Sequence, residues 1–195
     1  MASSENNSFP NVMISATAQV DPLASIGEGT AIWGHTHIRD GALIGRNCMI
    51  AERCSVDEGA IVGDFCRIQN GVSIYSGVWL KHHVFVGPEV CFTNDLFSEE
   101  WPESQDRPPW SFGSTVVGPY TRIGANATIL ANITIGSHCV IGAGATVVAD
   151  VPDGKTVVGV WKGSLVQRLF KKLLWFRPKT RRTRDVIVPL ELRRG

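Results

Sequence analysis

Long apolar runs are missing from this chain: no stretch reaches the roughly 18 residues that a membrane-spanning helix needs. The N-terminus, MASSENNSFP, has neither a basic region nor an apolar core, so no secretory leader is expected and the cytoplasm is the expected compartment. The five cysteines include no C-x-x-C pair, which removes the usual reason to invoke zinc or disulfides. Charged residues make up only 19% of the 195 residues and hydrophobic ones 44%. That balance excludes a wholly disordered chain and fits one soluble globular domain.

The net charge of +1 hides an uneven distribution. Residues 163–195 hold ten of the nineteen Lys and Arg but only two acids, Asp185 and Glu191. The body before them carries nine basic and sixteen acidic residues, a net charge of −7, which disfavours a body that binds nucleic acid.

What is present is a six-residue period. Counting in sixes from Val20 lands on Ile26, Ile32, Ile38, Ile44, Ile50, Val56, Val62, Ile68, Ile74, Leu80, Val86 and Phe92. The count restarts at Val117 and runs through Ile123, Ile129, Ile135, Ile141 and Val147. Neither a helix period of 3.6 nor a strand period of 2 produces this, so the chain is read as a solenoid of internal repeats. Taking these markers as slot one, slot five is small or β-branched, as in Thr30, Ala42, Cys48 and Cys66, which suits an inward position at a crowded corner. Slot four is rich in Gly and Asn, residues that tolerate positive φ. Each hexad is thus one short strand and one turn. Three hexads close an eighteen-residue coil, and coils stack at the ~4.8 Å spacing of neighbouring strands.

This framing assigns structural roles to reactive residue types. Cys48, Cys54, Cys66 and Cys139 fall in slot five, where a buried thiol acts as a small hydrophobe, and Cys91 points outward. His35, His83 and His138 fall in the corner slot, with His82 beside a corner and His37 on an outer face. Sorting the outward sixth slot by face gives Ser25, Leu43, Ile61 and Trp79 on one, Ala31, Met49, Arg67 and Phe85 on the next, and His37, Ser55, Ser73 and Cys91 on the third. The first two are apolar enough to suggest burial against another subunit, so a homotrimer is expected.

The period stops between Phe92 and Val117, where one hexad carries nineteen extra residues, including Trp101, Pro102, Pro108, Pro109 and Trp110. A long excursion at one point of an ordered wall is usually functional, and this one is read as a loop over about residues 93–116 that makes one side of a cleft.

The hexad, a branched aliphatic residue followed by Gly, two variable positions and a small residue, resembles the left-handed parallel β-helix of the hexapeptide-repeat acyltransferases. The stretches "AIWGHTHIRDGALIGRNCMI", "RIQNGVSIYSGVWLKHHVFVGPEVCFTND" and "RIGANATILANITIGSHCVIGAGATVVADVPDGKTVVGV" resemble bacterial N-acetyltransferases acting on nucleotide-linked 3-amino sugars, over about residues 30–163. The resemblance implies an all-β solenoid, acetyl-CoA as acyl donor, and an acceptor amino sugar carried on UDP or dTDP. A zinc site of the carbonic-anhydrase kind on this scaffold would show an H-x-x-x-x-H pair, which is absent, so no metal is expected.

Where related enzymes place a catalytic His at the edge of such a loop, this chain offers Asn94. An Asn is no general base, so the implied mechanism relies on orientation: the neutral sugar amine attacks, Asn94 holds it, and the proton leaves with the thiolate. Backbone N–H groups steady the oxyanion. Asp95, Gln69, Asn70, Tyr75 and Trp79 are the candidate substrate contacts, with corner hydrogen bonding or packing as their structural alternative. Ala125, Ala143 and Trp161 are eighteen residues apart, and a column of small residues there would let a pantetheine arm lie along the wall. Lys155 and Lys162 are candidate phosphate contacts. The family's closing V-V-G-N-P-A is VVGVWKG here, so Trp161 stands either against adenine or in the packing.

The expected domain order is a leader over 1–19, the β-helix over 20–162, and a C-terminal segment over 163–195. There Leu165, Val166, Leu169, Phe170, Leu173 and Leu174 follow helical spacing, and the basic residues around them suit either a capping helix or weak contact with an anionic membrane or phosphate. The competing functions are an N-acetyltransferase for a nucleotide-linked 3-amino sugar, a related O-acetyltransferase, and a non-catalytic β-helix scaffold.

Overall fold

A computed structural model describes residues 9–94 and 113–163. The expected C-terminal helix, the basic tail, Asp95 and most of the inserted loop lie outside the described residues.

The described residues are a stack of two- and three-residue strands wound into three parallel sheets, with no helix among them. The first face runs from Met13–Ile14 through Ala31–Ile32, Met49–Ile50, Arg67–Ile68, Phe85–Val86, Arg122–Ile123 and Val140–Ile141 to Thr156–Val157. The second runs from Gln19–Val20 to Val160–Trp161, and the third from Ser25–Ile26 to Thr134–Ile135. Every pairing is parallel, and residues eighteen apart are partners, as in Ala31 with Met49 and Leu43 with Ile61. This is the expected β-helix, with the three outward rows sorted onto three faces as the spacing predicts.

Strands this short persist because the interior is continuous. Ile32, Ile50, Ile68, Val86 and Ile123 stack in one inward column and are fully buried, so the wall encloses a single apolar core. The turns obey the expected corner chemistry. His35, His83, His138, Asn47, Asn126 and Asn132 all have φ between 53° and 61°. Phe65 and Tyr120 share that geometry, which is unusual for bulky side chains. Their rings stack with those of His83 and His138 at 4.8–5.0 Å, which offsets the backbone cost.

Slot five does more than fill space. Thr30, Thr36 and Thr121 donate their hydroxyls to the carbonyls of Gly45, Ala51 and Gly136 at 2.7–2.8 Å. Cys48, Cys54 and Cys66 donate their thiols to Gly63, Gln69 and Lys81 at 3.0–3.1 Å. Thr and Cys are therefore equivalent donors to the slot-two carbonyl of the next corner, a role the reading of these thiols as simple hydrophobes omits.

Three boundaries differ from the expectation. The wall begins at Met13–Ile14, which pairs with Ala31–Ile32, so the last part of the leader belongs to the solenoid. The insertion is narrower than 93–116: Thr115–Val117 is already a rung, paired with Val78–Leu80. The last coil contracts, with Ile141 opposite Val157 and Val147 opposite Trp161, so the eighteen-residue register fails at this end.

Candidate active site

The insertion leaves the wall at the corner between the second and third faces. Phe92 still pairs with Ile129, and Trp79 with Val116, so the rungs on both sides of the insertion stay in register. The neck is tight. The Asn94 carbonyl accepts the Gly113 N–H at 2.8 Å, and the Thr93 hydroxyl accepts the Ala131 N–H at 2.9 Å from the coil beyond. Gly113 is buried, and a β-carbon on it would sit 2.8 Å from the Asn132 nitrogen. Only glycine fits there.

Asn94 itself is half-buried. Among the described residues neither its carboxamide nor its main-chain N–H makes a hydrogen bond, so the described wall takes up none of these groups at the mouth of the insertion. Tyr75 lies one coil below Thr93 at this same corner and is half-buried beside it. These two candidates are brought together.

Gln69 and Asn70 are not. They occupy the corner between the first and second faces, one face away from Asn94, and belong to the column that continues through Pro88 to Ala125 and Ala143. The Ala125 and Ala143 N–H groups make no hydrogen bond among the described residues, while the Ala125 carbonyl is taken by the Gly144 N–H at 2.8 Å. Small side chains and open N–H groups in one column suit an extended amide-bearing ligand.

Trp161 does not extend that column. The contracted last coil puts it opposite Val147, where it packs against the core and donates its Nε1–H to the Asp150 carbonyl at 3.1 Å. It closes the end of the solenoid. Lys155 is exposed at the third corner, and Lys162 is exposed just beyond the last rung. Trp79 points outward on the third face, with the Lys81 ammonium 2.9 Å above its ring. Partial burial draws the Lys81 pKa below the usual lysine range. Lys81 and Thr93 are residues that sequence reasoning passed over: the first lies in slot two of an ordinary hexad, and the second sits inside FTND beside the residue that drew notice.

One surface depression of about 720 Å³ lies away from Asn94 toward the N-terminal end of the same corner. Gln19, Asp21, His37, Arg39, Asp40 and Glu58 line it, and it contains none of the candidates. Among the described residues no three His, Cys, Asp or Glu side chains converge to hold a metal ion.

Residues 114–149 match the family described as bacterial transferase hexapeptide (six repeats), and residues 40–76 match the hexapeptide repeat of succinyl-transferase. No curated protein matches the chain by sequence. Among solved structures, LpxA, a UDP-N-acetylglucosamine acyltransferase from Bacteroides fragilis, is 20% identical with a TM-score of 0.58, over 73% of this chain and 56% of its own. AntD, an N-acyltransferase from Bacillus cereus in complex with dTDP-4-amino-4,6-dideoxyglucose and coenzyme A, is 20% identical with a TM-score of 0.51, over 85% of this chain and 89% of its own. The acetyltransferase domain of PglB from Neisseria gonorrhoeae is 23% identical with a TM-score of 0.44, over 76% of this chain and 55% of its own, so the chain spans about half of that relative's length. Two matched segments and the shared wall agree: the chain carries the hexapeptide repeat of bacterial transferases and folds as the parallel β-helix that this repeat builds.

Proposed function

We propose that the protein is an acetyl-CoA-dependent N-acetyltransferase acting on the 3-amino group of a UDP- or dTDP-linked amino sugar in the cytoplasm. The observation that carries this reading is Asn94, whose carboxamide and main-chain N–H have no partner among the described residues where a long insertion leaves the wall. The motif FTND around it resembles the amino-sugar N-acetyltransferases, and AntD, with the same fold, is an N-acyltransferase seen with an amino-sugar nucleotide and coenzyme A.

The chemistry asks little of the side chains. The neutral amine attacks the thioester carbonyl, forming the C–N bond, and the tetrahedral intermediate collapses by breaking the C–S bond. The ammonium proton then goes to the departing thiolate. The Asn94 carboxamide oxygen accepts from the amine and holds its lone pair toward the carbonyl, and open N–H groups at the corner stabilise the oxyanion. Ala125 and Ala143 hold the pantetheine arm through their N–H groups, Lys155 and Lys162 face its phosphates, and Tyr75 and Trp79 contact the sugar nucleotide.

In one chain, Asn94 and the Ala125–Ala143 column stand at opposite edges of the second face. A homotrimer brings one edge of each copy against the other edge of its neighbour, and the apolar outward rows that include Leu43, Trp79, Met49 and Phe85 supply the contact.

The test is thiol release from acetyl-CoA with a panel of nucleotide-linked amino and hydroxy sugars, comparing the wild type with Asn94→Ala. Turnover on amino sugars alone, reduced about 100-fold or more in the variant, is expected. Turnover only on hydroxy sugars would replace this reading by an O-acetyltransferase. No turnover on any sugar would leave a binding scaffold.

A further inference from the structure

We infer that Thr93 is a positioning residue for Asn94, aiming its open N–H and withdrawing the competing one. The inference rests on the proposed role of Asn94 and begins from a regularity of the wall.

At most corners the main-chain N–H groups of slots two and four bond to the neighbouring coil, as Gly27 does to Ile44 and Asn47 to Glu28. The slot-three N–H donates to no backbone carbonyl at any corner of the described wall, whether at Asp40, Asn70, Asn94 or Ala143. The ladder leaves this donor over at every corner. In three places a side chain caps it. Asp64 caps Arg46 at 2.9 Å and Asp153 caps Ser137 at 2.7 Å, each an aspartate in slot three of the following coil. The third cap is different. Ala131 lies directly beyond Asn94 in the slot-three column, and its N–H is taken at 2.9 Å by the hydroxyl of Thr93, a slot-two residue reaching forward from the coil below.

Two consequences follow for Asn94. The Thr93 residue is tied to the next coil twice, by its own N–H to the Ile129 carbonyl at 2.9 Å and by its hydroxyl. The peptide joining Thr93 to Asn94, which carries the Asn94 N–H, is therefore held on one side, and the Asn94 carbonyl is held by Gly113 on the other. Meanwhile the neighbouring Ala131 N–H is occupied, so of these two slot-three donors at the neck it is the Asn94 N–H that has no partner among the described residues. A valine at 93 would keep the shape, release the Ala131 N–H and leave the peptide with one tether.

The experiment compares Thr93→Val and Thr93→Ser in the full chain, by steady-state kinetics and by hydrogen exchange at the Ala131 amide. Thr93→Val is expected to lower kcat about 10- to 100-fold at nearly unchanged KM, because a small misplacement of a reacting group costs rate more than affinity. It also exposes the Ala131 amide to exchange. Thr93→Ser, which keeps the hydroxyl, stays within about threefold on both readouts. Should the valine variant fail to fold, Thr93→Ala is compared with Thr93→Ser in its place. Wild-type kcat in the valine or alanine variant, a loss carried wholly by KM, or a serine variant as impaired as valine would overturn the inference. Those outcomes differ from failure of the proposed function itself, in which the wild-type protein releases no thiol with any amino sugar.

Discussion

The Asn94 carbonyl and the Gly113 N–H, nineteen positions apart in sequence, lie 2.8 Å from each other and close the insertion at its base. A β-carbon on Gly77, at φ +83°, would sit 2.5 Å from the Gly113 carbonyl oxygen, so two glycines let this neck pass over the coil below. Gly144 has a similar φ of +67° but open space around its β-carbon position. Gly144→Ala therefore loses only the left-handed backbone penalty of about 1–2 kcal/mol. Gly77→Ala adds an overpacking cost of about 1–3 kcal/mol and displaces the neck, so it also lowers turnover. Urea denaturation of both variants checks the order, and equal losses would show that the neck carries no steric constraint.

Thr36 is fully buried; its hydroxyl donates to the Ala51 carbonyl at 2.7 Å and accepts the Cys54 N–H at 3.2 Å. Thr36→Val strips a donor and an acceptor from groups sealed from water and is expected to cost about 2–4 kcal/mol. Thr36→Cys restores the donor, as the Cys54 thiol one coil away does for Gln69, and loses less than half as much. A thermal melt of the pair decides this, and a cysteine variant no better than valine would make the equivalence of Thr and Cys in this slot untenable.

Most of the wall was legible in the sequence because a stacked coil repeats one environment: Ile32, Ile50 and Ile68 are the same position written three times. What broke the repeat was not legible. Phe65 and Tyr120 take left-handed corners against their own preference because rings one coil away receive theirs, a tertiary effect that no hexad displays. The contraction that moves Trp161 from the Ala143 column to the core end follows from four residues missing between Val147 and Trp161, two of them before Val157, and a fixed count of eighteen runs past them. At the site, FTND marked Asn94, but the split between its corner and the corner of Asn70 and Ala125 needed the three faces in space.

Cysteine reactivity gives a separate check. Cys48, Cys54, Cys66 and Cys139 are buried and Cys91 is exposed. One thiol is expected to react quickly with a small disulfide reagent in the native protein, and all five in denaturant. Burial raises the Cys54 pKa. Above a pH of about 8.5 the unfolded chain sheds that proton while the folded chain keeps it, so the stability this thiol contributes falls as pH rises past that point. Cys54→Val should flatten part of this slope in urea titrations between neutral and alkaline pH. An unchanged slope would mean that the Cys54 thiol ionises alike in both states.

The separation of Asn94 from Ala125 on one chain yields the most decisive measurement. If a working site joins the Asn94 corner of one copy to the Ala125 corner of another, Asn94→Ala spoils only the first half and Ala125→Trp, which fills the small-residue column, only the second. Each variant alone is then inactive. Refolded together from denaturant in equal amounts, they assemble at random, and about a quarter of the junctions unite an intact Asn94 with an intact Ala125 column. Activity should return to about that fraction of the wild-type value. Sites contained within one chain cannot recover this way, because every chain in the mixture carries one lesion. A mixture as inactive as its parents, despite exchange of subunits seen by mass, would place both halves of the site on the same copy.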